Sequence, residues 1–116
     1  MSATVDPATG WLRASLGLAI LAVLTEGERH GYALAQRLAD HGLGAVRGGA
    51  LYPVLGRLEA DGAVRSDWLP GERGPGRKAY SITTAGRQRL AEERARWGEF
   101  TSAFDRLLTA TGEDTR

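Results

Sequence analysis

Residues 70–76 read Pro-Gly-Glu-Arg-Gly-Pro-Gly, so five of these seven positions are glycine or proline. No helix or interior strand runs through such a segment: proline lacks the backbone donor, and glycine loses the most conformational freedom on ordering. The chain must turn there. Ala63-Val64-Arg65-Ser66-Asp67-Trp68-Leu69 on one side and Arg77-Lys78-Ala79-Tyr80-Ser81-Ile82 on the other are rich in strand-forming residues. Together they read as a β-hairpin with Arg73, Arg77 and Lys78 near its tip.

Upstream of the hairpin the period is helical. Between Gly48 and Gly62, Leu51, Val54, Leu55 and Leu58 form one apolar stripe, and Pro53 falls near the first turn, where a missing N–H costs least. The opposite side of this third helix shows Ala50, Tyr52, Pro53, Gly56 and Arg57. Before it, residues 30–40 form a second amphipathic helix with Leu34, Ala35 and Leu38 inward and Gly42 as its stop. A first helix runs from Trp11 to Leu24 and is apolar nearly all round after Ser15. It therefore needs two partners, its own core and a second subunit. Residues 1–10 read as a loose arm, with helix onset between Asp6 and Thr9.

Downstream, Thr83-Thr84 caps a last helix running to about residue 110, and residues 111–116 read as a polar tail. Leu90, Trp97 and Phe104 are seven apart, with Phe100 and Leu107 in the alternate seam positions and only Glu93 breaking the seam. Such a helix wants another helix. The expected fold class is therefore mainly α (α+β): a winged helix-turn-helix over residues 11–82 and a C-terminal dimerisation helix over 83–110.

Composition narrows the function. At 116 residues the chain is one domain, with no apolar run long enough for a membrane span. It has no cysteine, which suits a reducing, cytoplasmic setting and excludes disulfides and thiolate metal sites. The net charge is only +1, so any nucleic-acid face must come from placement rather than bulk charge. His30 and His41 lack the companions of a catalytic set, and Asp40 with His41 is too sparse to hold a metal. Gly74-Pro75-Gly76 lacks the parallel-sheet context of a phosphate-binding loop. Neither an enzyme nor a cofactor is expected.

A helix with an apolar back and a Tyr/Arg front, followed by a cation-tipped hairpin, fits a DNA groove with the hairpin as a wing. Tyr52 then reaches a phosphate, or packs beneath the wing instead. Arg57 offers a fork to phosphate or guanine, and Arg73, Arg77 and Lys78 meet the backbone. His30-Gly31-Tyr32 opens the second helix, whose N–H groups suit a phosphate, while His30 itself is equally readable as a cap or core residue. Trp68 reads as core. The competing class is a dimeric winged-helix interaction module that binds a protein or small molecule without specific DNA recognition.

The chain resembles the PadR-type transcriptional regulators of the short, single-domain kind. The likeness covers residues 11–108. It rests on Leu12-Arg13, His30-Gly31-Tyr32-Ala33-Leu34, Gly49-Ala50-Leu51-Tyr52-Pro53, Arg57-Leu58-Glu59, Gly62, Ser66-Asp67-Trp68, Gly74-Pro75-Gly76-Arg77-Lys78, Tyr80 and Thr83-Thr84-Ala85-Gly86-Arg87. The resemblance implies a homodimer that binds palindromic double-stranded DNA operators and usually represses. Its dimer interface would join the first and last helices, through Leu16, Ile20, Leu90, Trp97, Phe100, Phe104 and Leu107. Some relatives stack flat aromatic effectors on a tryptophan at the place of Trp97, which would put Trp11, Leu18 and Thr101 around that cavity. Three positions depart from the family pattern: Ala50 replaces a hydroxyl residue, Ala79 an aromatic, and Gly56 lowers the third helix's propensity by roughly 1 kcal/mol.

Overall fold

A computed structural model describes residues 7–69 and 77–112. The order is α1 (Pro7–Leu24), β1 (Arg29–His30), α2 (Gly31–Asp40), α3 (Gly48–Ala60), β2 (Val64–Leu69), β3 (Arg77–Ile82) and α4 (Thr84–Gly112). The expected helix–helix–helix–hairpin–helix order is present, with one addition. β1 is a third strand, two residues long, that joins the hairpin in the order β1-β3-β2 through Arg29↔Tyr80 and His30↔Ala79. Two residues carry no period, so the sequence left no trace of it.

The chain is already helical at Pro7, the first described residue, which agrees with an onset between Asp6 and Thr9 and takes residues 7–10 out of the expected arm. At the other end α4 runs two residues past 110, and residues 113–116 lie outside the described residues.

The core is a leucine-rich layer in which α1 packs on α2, α3 and α4. Leu34 and Leu38 come from α2, and Leu51, Leu55 and Leu58 from α3. Leu55 is fully buried, so truncating it to alanine would remove about 2–5 kcal/mol. Leu16 and Ile20, expected at the dimer interface, belong instead to this core at 1% and 0% exposure. A helix apolar all round does not declare which side its own chain will cover, and here the Leu16/Ile20 side belongs to the chain's own core.

Both α2 and α3 end alike. Gly42 and Gly62 take left-handed φ of 85° and 82°. The next residues then donate back, Leu43 N–H to the Leu38 carbonyl at 3.1 Å and Ala63 N–H to the Leu58 carbonyl at 2.9 Å. This closure satisfies orphan helix carbonyls, and only glycine adopts its backbone without strain.

Cross-strand partners Val64↔Ile82, Ser66↔Tyr80 and Trp68↔Lys78 share one face of the hairpin. That face begins in the core at Val64 and Tyr80 and runs out past its edge. Trp68 is therefore 67% exposed, which corrects the expectation that it is core: it lies on the core-facing side, beyond the point where the core ends.

α4 is docked at its start. Thr83 caps it, accepting the Gly86 N–H at 2.9 Å on Oγ1 and donating that hydroxyl to the Gly62 carbonyl at 2.6 Å. Glu93, the break in the seam, accepts from Arg89 Nε at 3.0 Å, and Arg89 also reaches Asp61 at 3.1 Å. This part of α4 faces its own domain. Beyond it the 29-residue helix, about 43 Å long at 1.5 Å per residue, leaves the fold.

Candidate nucleic-acid interface

α2, α3 and the hairpin enclose an open cleft of about 660 Å³. The α2 start supplies Gly31 and Tyr32, α3 supplies Tyr52, Gly56 and Glu59, and the hairpin supplies Trp68, Arg77, Lys78 and Tyr80. Tyr52 is placed by what two glycines lack. A β-carbon on Gly31 would come within 2.7 Å of its ring, and one on Gly48 within 3.3 Å. The ring thus lies over the entry of α2 with half its surface free (49%). Tyr32 is more open still, at 77%. Tyr80 closes the floor at 5% exposure, and its phenol is held above its ordinary pKa of 10.0, first by burial, then by the neighbouring Tyr52 and Glu59.

The cations are less free than the sequence suggested. Arg77 is exposed on the cleft wall. Lys78 Nζ lies 3.8 Å from Glu59 Oε1 and 5.9 Å above the Tyr80 ring. Glu59 in turn accepts the Ser66 hydroxyl at 2.6 Å. Sequence reasoning does not single out Glu59 as a site residue, because one carboxylate in the last turn of a helix carries no pattern.

Of the other residues expected to touch DNA, Pro53 and Arg57 are exposed on α3 but do not line the cleft. Ala50 is corrected: it is half-buried against the core and lies with Leu12 and Leu16 on the side away from Tyr52. It sits in the first turn of α3, two positions before Tyr52, and so points to the opposite side of the helix. Arg73 lies outside the described residues. His30 is half-buried at the α2 N-cap and makes no side-chain cap bond.

A second concavity, of about 460 Å³, lies between α1 and α4. Leu18, Trp97 and Phe100 line it together with Arg89, Glu93 and Arg96. Trp11 and Thr101, expected around Trp97, do not. The Thr101 hydroxyl donates back to the Trp97 carbonyl at 3.0 Å, which keeps it on its own helix. From Trp97 onward the aromatic rings interlock, Trp97 with Phe100 at 6.2 Å and Phe100 with Phe104 edge-on at 5.8 Å. Among the described residues no cluster of His, Asp and Glu could hold a metal ion, and no helix is long and apolar enough to cross a membrane.

Three packed helices, a cation-bearing wing and a tyrosine-lined cleft between them are the architecture of a winged-helix DNA-binding protein. Residues 20–92 match the transcriptional regulator PadR-like family, well over half of the chain, and the chain belongs to that family. It is 44% identical to the transcriptional regulator Rv3488 of Mycobacterium tuberculosis over 71% of this chain and 75% of that one. It is also similar to the crystal structure of a PadR family transcriptional regulator from Eggerthella lenta. That match has 35% identity and a TM-score of 0.78 over 86% of this chain and 87% of the other. A PadR-like transcriptional regulator from Bacillus cereus is 31% identical with a TM-score of 0.73, over 85% and 96%. The protein is thus a DNA-binding transcriptional regulator of a family whose members are not enzymes.

Proposed function

We propose that the protein is a homodimeric repressor that lays its two α3–wing clefts on a palindromic operator. One observation carries the dimer: the α4 stripe of Trp97, Phe100, Phe104 and Leu107 is 44%, 58%, 46% and 57% exposed beside a core whose leucines are almost fully buried. A contiguous aromatic stripe on a projecting helix is a surface for another helix, and a second copy supplies the matching one. An interface between two identical copies has two-fold symmetry, so the two clefts address two inverted half-sites.

Light-scattering mass tests the dimer directly. A dimer at micromolar concentration that becomes a monomer on Phe104→Glu supports it, and a monomeric wild type contradicts it. Selection of binders from a random DNA pool tests the operator: inverted repeats are expected, and failure to enrich any sequence favours an interaction module.

Repression would be relieved at the α1–α4 groove. Trp97 there would present an indole to a planar aromatic ligand in a groove also lined by Leu18, Arg89 and Arg96. Quenching of Trp97 fluorescence by planar aromatic compounds, absent in Trp97→Phe, is the expected result. Quenching that persists in Trp97→Phe places the ligand elsewhere, because Trp11 and Trp68 also emit.

A further inference from the structure

Lys78 is the only lysine among the chain's 15 basic residues, and it stands in the cleft with a carboxylate beside it. Glu59 reaches the cleft from the last turn of α3. One of its oxygens takes the Ser66 hydroxyl of β2 at 2.6 Å, and the other lies 3.8 Å from Lys78 Nζ on β3. Ser66 and Lys78 lie on the same face of the hairpin, so one side chain of the recognition helix ties both strands of the wing. Arg77, the neighbouring cation, has no such partner in the ion pairs of the described residues.

We propose that Glu59 is a positioning residue of the DNA face that sets the wing against α3 and serves Lys78 as an internal counterion, so that the phosphate backbone must displace the Glu59 carboxylate from the lysine. The proposal rests on the reading of the α2–α3–wing cleft as the surface that meets DNA. Its physical basis is competition. A phosphate and the Glu59 carboxylate want the same ammonium, and a carboxylate left in the cleft repels the phosphate that replaces it. Lysine suits the role, because a compact point charge on a flexible stem can change partners without the fixed geometry of a guanidinium fork. Glu59 thereby lowers affinity for DNA of every sequence by the same factor, leaving sequence choice to other contacts.

Glu59→Gln separates charge from structure, since its amide oxygen still accepts from Ser66. Fluorescence anisotropy with one 20-base-pair duplex across a potassium chloride series is the assay. Glu59→Gln should bind about fivefold more tightly at low salt, the worth of one exposed ion pair, with a slope of log affinity against log salt steeper by about 0.9 per subunit. Amine-directed labelling, read by mass on the only lysine-containing peptide, should run faster at Lys78 in this variant. In a Lys78→Met background the tightening should shrink to the part that direct repulsion of phosphate by the carboxylate contributes.

An affinity and slope equal to wild type overturn the proposal. So does equal tightening in the Lys78→Met background, which would mean direct repulsion without a held lysine. If Glu59→Gln folds poorly, Lys78→Met alone decides: it should weaken binding less than Arg77→Ala does, and an equal or greater loss contradicts the counterion. Arg77→Ala also guards the underlying reading. If Arg77→Ala leaves binding unchanged, the cleft is not the DNA face. If it weakens binding while Glu59→Gln does nothing, only the role of Glu59 falls.

Discussion

Tyr52 of α3 lies against Gly31 of α2 so closely that a β-carbon at residue 31 would come within 2.7 Å of its ring. The backbone of Gly31 has an ordinary negative φ, so alanine fits there as a helical residue and only the tyrosine must give way. Tyr52 is half exposed and free to swing outward. Gly31→Ala should therefore change stability by less than about 1 kcal/mol. DNA affinity should fall about tenfold, the worth of a phenol hydrogen bond to a charged phosphate. In a Tyr52→Ala background the same substitution should have no effect on binding. A Gly31→Ala protein with full affinity would show that Tyr52 need not lie where it does.

A second close approach fixes the last helix. A β-carbon on Gly86 would be driven into the carbonyl oxygen of Ala63 and would come within 2.8 Å of the Ile82 side chain. Here the obstacle is backbone, which cannot rotate away. Gly86→Ala should destabilise the fold by about 3 kcal/mol, the upper range for overpacking. Thr83→Ala, which removes the cap together with the hydrogen bond to the Gly62 carbonyl, should cost about 1–2 kcal/mol, and Thr83→Ser should restore it. Urea denaturation midpoints separate the three.

Gly56 is the opposite case. It sits in the middle of α3 with nothing within 4 Å of where a β-carbon would stand, and it needs no unusual backbone. Packing therefore gives no reason for glycine. Gly56→Ala should raise stability by about 0.5–1 kcal/mol. A loss of stability in thermal melts would contradict the open space beside it.

Glu26 joins the end of α1 to β1 and α2. It accepts from Arg37 Nε at 2.9 Å and from Arg29 at 2.9 Å, with His41 Nε2 at 3.8 Å. The Arg37 hydrogen bond, against some burial and with help from Arg29, holds its pKa below the ordinary 4.5. A carboxyl whose folded pKa is depressed contributes stability that is present above its unfolded value and lost as pH falls through the folded one. Wild type should therefore melt above Glu26→Gln at pH 7, and the gap should close between about pH 4.5 and more acid values. A gap of constant width across that range would contradict the cluster.

Much of the fold was legible because its signals are periodic. Leu51, Leu55 and Leu58 declare one buried face, Gly42 and Gly62 declare two helix ends, and the strand-forming runs 63–69 and 77–82 declare the antiparallel pair β2 and β3. The cleft was legible in part. Tyr32, Tyr52, Arg77 and Lys78 do come together, because the helix–turn–helix and the wing bring them there. What escaped has physical reasons. Leu16 and Ile20 went to the core because an all-apolar helix hides its orientation. Trp68 was exposed because strand alternation gives the face but not where the core stops. Ala50 turned away because two positions along a helix nearly reverse direction. Glu59 and the Gly31–Tyr52 contact are long-range pairings of single residues, and no local pattern encodes them.

The salt dependence of DNA binding by Arg77→Ala/Lys78→Ala bears most directly on whether the α2–α3–wing cleft is the DNA face. If it is, affinity falls at least about tenfold, and the slope of log affinity against log salt flattens by about 0.9 for each phosphate no longer neutralised. Unchanged affinity with an unchanged slope, in a variant that melts like wild type, would contradict it.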